Sequence, residues 1–368
     1  MEKKGKEKRS LPLRHGVEGL SPYLADKPDE RELRARLCFN ENLHGPSPGA
    51  VKAIVQAALN VHFYPDPGGW ELREALQKKH GIPAEQIILG NGADGLITLI
   101  SSTFLNPGDE VLFCEPTFPI YRSSTLISMG VAKGIPLDER YRFDLENLRK
   151  AITSKTRLIY LCNPNNPTGT VLSPDEIEGF LKDLPEGILV VLDEAYVDFM
   201  DAEKIPPTLT WIEEGYPVIS LRTFSKAYGL AGMRVGYAFS SKEVIDFLYR
   251  VREPFVVSSL AIKAAVGALE DVQHYRRVVN SIRKERDGLQ KALGKRGLTV
   301  IPSQANFLFL DFQKDAETLC RRLAEYGILI RCSRSWGMPT WARVTVGTPQ
   351  ANKTFLRALD AVLGDRTR

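Results

Sequence analysis

The sequence predicts an α/β protein: a large domain around a mainly parallel seven-stranded sheet, followed by a smaller α+β domain. Three observations carry this. Seven strand-like runs alternate with helical stretches up to about residue 255, the pattern of a mainly parallel sheet. Several of the runs are apolar on consecutive residues, as expected for strands covered on both faces. Beyond residue 255 the alternation gives way to long helical stretches and then to three strand candidates and a last helix.

The elements follow in order. Residues 11–50 are irregular and rich in Pro and Gly. "SPGAVKAIVQAAL" then reads as an amphipathic helix with Ser47 as its cap and Pro48 in its first turn. "WELREALQKKHG" reads as a second helix closed by Gly81. The strand candidates are QIILG (86–90), EVLFCEP (110–116), VAKGIPL (131–137), RLIYLCNP (157–164), ILVVLDEAY (188–196), PVISL (217–221) and RVGYAFS (234–240). Helical stretches such as "GADGLITLISSTFL" and "SPDEIEGFLKDL" lie between them. Long helical stretches cover 259–294. Strand candidates follow in "LTVIPSQANFLFLDF", "GILIRC" and "ARVTVG", with a terminal helix near 350–363. The expected organisation is a basic tail (1–19), an N-terminal segment joining the small domain (20–60), a large domain (61–255) and a small C-terminal domain (256–368).

Composition narrows the function classes. The first ten residues, MEKKGKEKRS, carry five Lys or Arg against two Glu and so supply most of the net charge of +4. The basicity belongs to a tail and not to a folded face, so no nucleic-acid partner is expected. No apolar run reaches the length of a membrane span. The tail lacks the apolar stretch of a secretory signal, and its two Glu argue against a transit peptide. Five cysteines with no C-x-x-C pattern indicate a reducing, cytoplasmic location. The five histidines show no ligand spacing, and no metal site is expected.

Four polar clusters fall where strands end, the edge at which open α/β sheets bind ligands. "GNGADGL" (90–96) places backbone N–H groups of Gly92, Ala93 and Asp94 at a helix start, either an anion site or a tight turn capped by Asp94. "CNPNNPTG" (162–169) is either a generic loop or a rigid one presenting an amide. "VVLDEAYVDF" (190–199) ends an aliphatic strand on Asp193, Glu194 and Tyr196. An acid there either caps a helix, faces solvent or pairs with a cationic ring nitrogen. "RTFSKAYGLAGMRVGY" (222–237) places Lys226 and Arg234 around small residues after a buried strand. Alone, Lys226 reads as a surface lysine; desolvated near other cations, it can form an imine. Together the clusters supply an anion cradle, an acid for a ring nitrogen, an amide and an imine-forming lysine. Those are the attachment points of pyridoxal phosphate.

The stretches "FNENLHGPSP", "YPDPGGWELREAL", "GNGADG", "EPTFPIY", "NPNNPTG", "DEAYVDF", "TFSKAYGLAGMRVGY" and "ARVTVGT" carry a family resemblance. In order and spacing the chain resembles the fold-type-I, pyridoxal-phosphate-dependent aminotransferases, most closely the histidinol-phosphate aminotransferase family, from about Leu20 to the last helix. The resemblance implies that Lys226 binds the cofactor covalently and shuttles the substrate proton, and that Asp193 holds the pyridine nitrogen protonated. It also implies that Tyr196 and Asn166 bond the ring's phenolic oxygen and that Phe118 stacks on the ring. Ala93 and Asp94, with Thr223, Ser225 and Arg234, would hold the phosphate. Tyr64 would reach the cofactor of a neighbouring subunit, implying a homodimer with shared sites. Arg343 would grip an α-carboxylate, and Arg331 and Tyr23 would line the substrate-phosphate pocket. The expected reaction is transfer of an amino group between L-histidinol phosphate and 2-oxoglutarate.

Departures from the family keep rivals in play. Several relatives have Tyr where this chain has Phe118. Two tryptophans in "CSRSWGMPTW" (332–341) either tilt the pocket towards aromatic side chains or are packing. An aromatic amino-acid aminotransferase and a threonine-phosphate decarboxylase share the scaffold. A cofactor-sensing regulator without turnover is the rival of another class. It would need a DNA-binding module, and only about 38 residues precede "FNEN".

Overall fold

A computed structural model describes residues 33–364 together with 14, 16, 17 and 20. Tyr23 and most of the tail lie outside the described residues. Twelve strands are named here in chain order. They are β1 (Ala35–Leu37), β2 (Ile87–Gly90), β3 (Glu110–Glu115), β4 (Val131–Pro136), β5 (Thr156–Cys162) and β6 (Leu189–Asp193). Then come β7 (Val218–Thr223), β8 (Gly236–Phe239), β9 (Thr299–Ile301), β10 (Phe307–Asp311), β11 (Ile328–Cys332) and β12 (Trp341–Thr345).

Seven of them form one sheet in the order β2-β8-β7-β6-β5-β3-β4. All neighbours run parallel except β8, which is antiparallel to both β2 and β7. The seven runs read from the sequence are these seven strands. Their consecutive apolar residues are explained by burial on both faces: Val190, Val191 and Leu192 of β6 are all inaccessible to solvent. Each such side chain contributes about 1.5–3 kcal/mol of transfer free energy.

The orientation of β8 decides where the site forms. The parallel strands deliver their carboxyl ends to one edge of the sheet. Because β8 is antiparallel, its beginning reaches that same edge. Gly236 sits opposite both Gly90 and Thr223. The ends of β2 and β7 and the residues just before β8 therefore meet.

Helix boundaries follow local chemistry. Ser47 accepts from the Ala50 N–H and caps Pro48–Ala58. Gly81, with φ of 78°, closes Trp70–His80. Ser173 and Glu176 form a reciprocal capping box at Pro174–Lys182.

The second sheet has five strands in the order β1-β11-β12-β10-β9, with β1 parallel to β11 and the other pairs antiparallel. Two details differ from the sequence reading, and a third refines it. "LTVIPSQANFLFLDF" holds two strands, β9 and β10, because Pro302 and the following polar turn interrupt it. The 259–294 stretch is two helices, Ser259–Glu270 and Val272–Gly294, with the Asp271 carboxylate accepting from the His274 N–H to start the second. β1 lies inside the segment read as irregular; three residues are too few to show a period.

Candidate active site

The helix Gly92–Phe104 begins immediately beyond β2, and no side chain caps it at Asn91. Its first N–H groups and the positive end of its dipole point out of the sheet edge. Gly92 has φ of 68°, and a Cβ built there would stand 2.6 Å from Nη2 of Arg234. Glycine is required so that the guanidinium can lie against the helix start. Arg234 adopts the left-handed conformation (φ 55°) and donates to the Ala231 carbonyl at 3.1 Å and to Asp94 Oδ2 at 3.3 Å. Asp94 thus pairs with Arg234 instead of capping the helix. Thr223 and Ser225 lie beside each other at the end of β7, their hydroxyls 2.9 Å apart. Ala93, Asp94, Thr223, Ser225 and Arg234 bring one guanidinium, two hydroxyls and the helix-start N–H groups together at this edge.

Asp193 ends β6 and is buried. Its Oδ2 accepts from the Tyr121 hydroxyl at 2.6 Å and its Oδ1 from the Ala195 N–H at 3.0 Å. Burial is the dominant influence and raises its pKa to about 6; the two donors oppose that rise. The next residue has a different task. Glu194 accepts from Thr208 at 3.0 Å, from the Ser220 hydroxyl, and from Arg222 Nε at 3.0 Å. Of the two adjacent acids, one is absorbed by a structural ion pair and one faces the site edge.

Lys226 follows β7 and is half-buried, its Nζ 5.6 Å from the centre of the Tyr196 ring. Burial first, and Arg343 second, lower its pKa to about 8. Its Nζ donates to the Phe39 carbonyl at 3.1 Å. The N-terminal segment therefore crosses over the lysine. Asn42 donates to the Ala227 carbonyl at 2.9 Å, and a Cβ at Gly229 (φ 68°) would come within 2.5 Å of the Gly45 carbonyl oxygen. That close approach needs glycine.

Asn166 and Arg343 bond directly, Nη1 donating to Oδ1, while Arg343 Nη2 donates to the Cys38 carbonyl at 2.8 Å. The Arg343 guanidinium lies 5.4 Å from the Phe307 ring centre and 5.5 Å from that of Trp336. Arg331 stands opposite Arg343 in the β11–β12 register, so both side chains leave one face of the sheet. The Tyr196 hydroxyl accepts from Asn40 Nδ2 at 3.0 Å. Phe118 meets Tyr121 edge-on, with centres 5.8 Å apart at 80°. Tyr64 lies apart from this group, 81% exposed and stacked on Phe255 at 4.7 Å.

A family model described as aminotransferase class I and II matches residues 35–359. Histidinol-phosphate aminotransferase from Moorella thermoacetica is 43% identical over 360 residues, covering 95% of this chain and 92% of the relative. The chain belongs to the histidinol-phosphate aminotransferase family. The family extends to solved structures. Histidinol-phosphate aminotransferase from Sinorhizobium meliloti, in complex with pyridoxal-5'-phosphate, matches with a TM-score of 0.90 at 30% identity over 98% of this chain and 99% of that one. L-threonine-O-3-phosphate decarboxylase from Porphyromonas gingivalis matches with a TM-score of 0.80 at 27% identity over 90% and 100%.

Within this aminotransferase fold, some site residues escaped sequence reasoning. Tyr121 was visible in "EPTFPIY" but carried no signal of its partner. Asn40 and the carbonyls of Cys38 and Phe39 join through the crossing N-terminal segment. The two tryptophans separate: Trp341 stacks on Phe309 at 4.9 Å in a small side cluster with Ile301, and Trp336 faces Arg343. Of the two asparagines, Asn165 ties loops together through Thr117, Thr168 and the Pro116 carbonyl, and Asn166 alone meets Arg343.

Proposed function

We propose that this chain transfers an amino group between L-histidinol phosphate and 2-oxoglutarate, using pyridoxal 5'-phosphate. The observation that carries the reading is the meeting, at one sheet edge, of a lysine with a lowered pKa, a buried acid and an uncapped helix start with Arg234 against it, faced by the buried Arg343 of the second sheet. The residues fit the cofactor: the glycine at 92 lets the Arg234 guanidinium lie against an uncapped helix start, and the Thr223 and Ser225 hydroxyls lie beside each other at the same edge.

When bound, pyridoxal phosphate supplies an aldehyde that condenses with amines and a ring that accepts electron density from the substrate Cα. Ala93, Asp94, Thr223, Ser225 and Arg234 would hold its phosphate. Asp193 would present a carboxylate to its ring nitrogen, Asn166 and Tyr196 would offer polar atoms to its ring oxygen, and Phe118 would offer a face. Lys226 Nζ moves the proton. A pKa of about 8 leaves a sizeable neutral fraction near neutral pH, the form able to bind an aldehyde or take a proton from Cα. Arg343, held from two sides, orients the α-carboxylate of an amino acid, and Arg331 and Tyr23 serve the substrate phosphate.

The active unit would be a homodimer. Tyr64 and Phe63 are strongly exposed beside Leu59 and Val61, an apolar face that suits a second copy, whose site Tyr64 would enter. Among the described residues no helix is long and apolar enough to cross a membrane. All five cysteines are free, which fits a reducing cytoplasm.

The test is a steady-state comparison of L-histidinol phosphate, phenylalanine and threonine phosphate, each with 2-oxoglutarate and added cofactor. Fastest glutamate formation from histidinol phosphate supports the proposal. Preference for phenylalanine, carbon dioxide release from threonine phosphate, or cofactor binding without turnover of any donor would overturn it.

A further inference from the structure

We propose that Tyr121 is a positioning residue for the cofactor: its hydroxyl keeps Asp193 a carboxylate in a buried place while its ring braces Phe118. The inference rests on the reading of the site as a pyridoxal-phosphate site, and it gives Tyr121 no step of its own.

Tyr121 lies on the short helix Ile120–Ile127 and is inaccessible to solvent. Its ring stacks on Tyr160, with centres 4.5 Å apart at 12°. The stack holds two buried phenols, and their hydroxyls go to different places. Tyr160 meets Ser101 Oγ at 3.0 Å, beneath the helix that starts at Gly92. Tyr121 donates to Asp193 Oδ2 at 2.6 Å, a short charge-assisted bond. A phenylalanine at 121 would fill nearly the same space. The hydroxyl is therefore the informative atom, and Asp193 is its acceptor.

The surroundings of Asp193 show why a donor is needed there. Asp94 and Glu194 are acids and work against its charge. Tyr160, Tyr196 and the Cys162 thiol are neutral groups, each pushed above its ordinary pKa by burial. Cys162 is the register partner of Asp193 and also touches the Tyr121 hydroxyl. Opposing burial are the Tyr121 hydroxyl and the Ala195 N–H. With both in place the carboxyl titrates at about 6, so it is ionised at neutral pH. With Tyr121 removed it moves towards neutrality and loses part of its charge at working pH. An uncharged Asp193 gives a protonated ring nitrogen no counter-ion. The same tyrosine sets Phe118 edge-on, so one side chain supports a contact in the ring plane and one on the ring face.

The experiment measures cofactor affinity against pH by equilibrium dialysis with pyridoxal phosphate, for wild type, Tyr121→Phe and Tyr160→Phe. Melting curves of the cofactor-free proteins run alongside. Wild-type affinity should fall as pH drops through about 6, where Asp193 takes up its proton. Tyr121→Phe should bind about tenfold more weakly at pH 7, with the fall displaced to higher pH. Tyr160→Phe, which removes an equally buried hydroxyl from the same stack, should keep the wild-type profile. A Tyr121→Phe profile that overlays wild type, or a Tyr160→Phe profile displaced as far, overturns the proposal. Should Tyr121→Phe fail to fold, 3-fluorotyrosine placed at 121 keeps the ring and strengthens the donor. It should move the fall to lower pH, and an unmoved profile again overturns the proposal. Wild-type protein that binds no pyridoxal phosphate overturns the cofactor reading itself, a separate outcome.

Discussion

At one end of the site, Asp193, Lys226 and the helix start at Gly92 follow β6, β7 and β2 of a single sheet. At the other end, Arg343 of the five-stranded sheet reaches Asn166 in the loop beyond β5, 177 residues away, and the Cys38 carbonyl of the N-terminal segment. Strand register positions the first set, so its spacing is as rigid as the sheet. The second set depends on two sheets and a crossing segment staying together. Under the proposed function the difference divides the labour: the sheet edge would hold the cofactor, and the junction between sheets would read the substrate.

The largest expected effect breaks the cofactor end. Lys226→Ala should lower turnover by on the order of 10³–10⁴-fold and abolish the visible absorbance of the loaded protein. Steady-state rates and a spectrum check this, and turnover within tenfold of wild type would remove the basis of the division.

Asp193→Asn should cost about 10²–10³-fold in turnover. The same change should stabilise the cofactor-free protein at pH 7 by about 1–3 kcal/mol. The folded pKa of Asp193 is raised from 3.8 to about 6. The stability linked to this group is fully present below 3.8 and is lost as pH rises through about 6. Melting temperature followed from pH 4 to 7 should fall in wild type over that window and lack this component in the variant. A variant less stable than wild type at pH 7 contradicts the account of Asp193 as a strained, preorganised acid.

Arg343→Lys tests the substrate end. It removes the planar fork shared between Asn166 and the Cys38 carbonyl. The KM for an amino-acid donor should rise about 10–100-fold, while cofactor absorbance stays. Loss of cofactor binding instead would show that the two ends are not separable.

The smallest effects separate the tryptophans. Trp336→Phe should raise KM about two- to fivefold with an unchanged melting temperature, as expected for weakening a cation–π contact. Trp341→Phe should leave KM alone and lower the melting temperature by about 2–4 °C through imperfect packing. The opposite assignment of kinetic and thermal effects would reverse the placement of the two rings.

The same division explains what was readable in the sequence. Asp193, Lys226 and the Gly92 turn were legible because each ends an apolar run, and parallel strands bring such ends to one edge. Arg234 was legible as a motif residue. Its arrival at that edge depends on the antiparallel course of β8, which the apolar pattern of "RVGYAFS" does not encode. Tyr121 was hidden because a buried tyrosine on a short helix looks like core. β1 and the crossing of Cys38 and Phe39 over the arginine and lysine were hidden for a different reason. Three residues of strand have no measurable period, and a backbone carbonyl leaves no trace in residue identity. The roles of Trp336 and Trp341 needed the direction of one turn, Arg334–Trp336, before they could be told apart.

The carbonyls of Cys38 and Phe39 carry one more consequence. They receive the cations of Arg343 and Lys226 through the peptide group, which every residue except its side chain shares. The exposed Phe39 is therefore free to change side chain while the chain path stays constant, whereas the buried Cys38 is held to small side chains. A saturation library at 39 should report tolerance, and a single-residue deletion between Leu37 and Asn40 should not. At Phe39 the site depends on the length and path of the chain and not on the side chain.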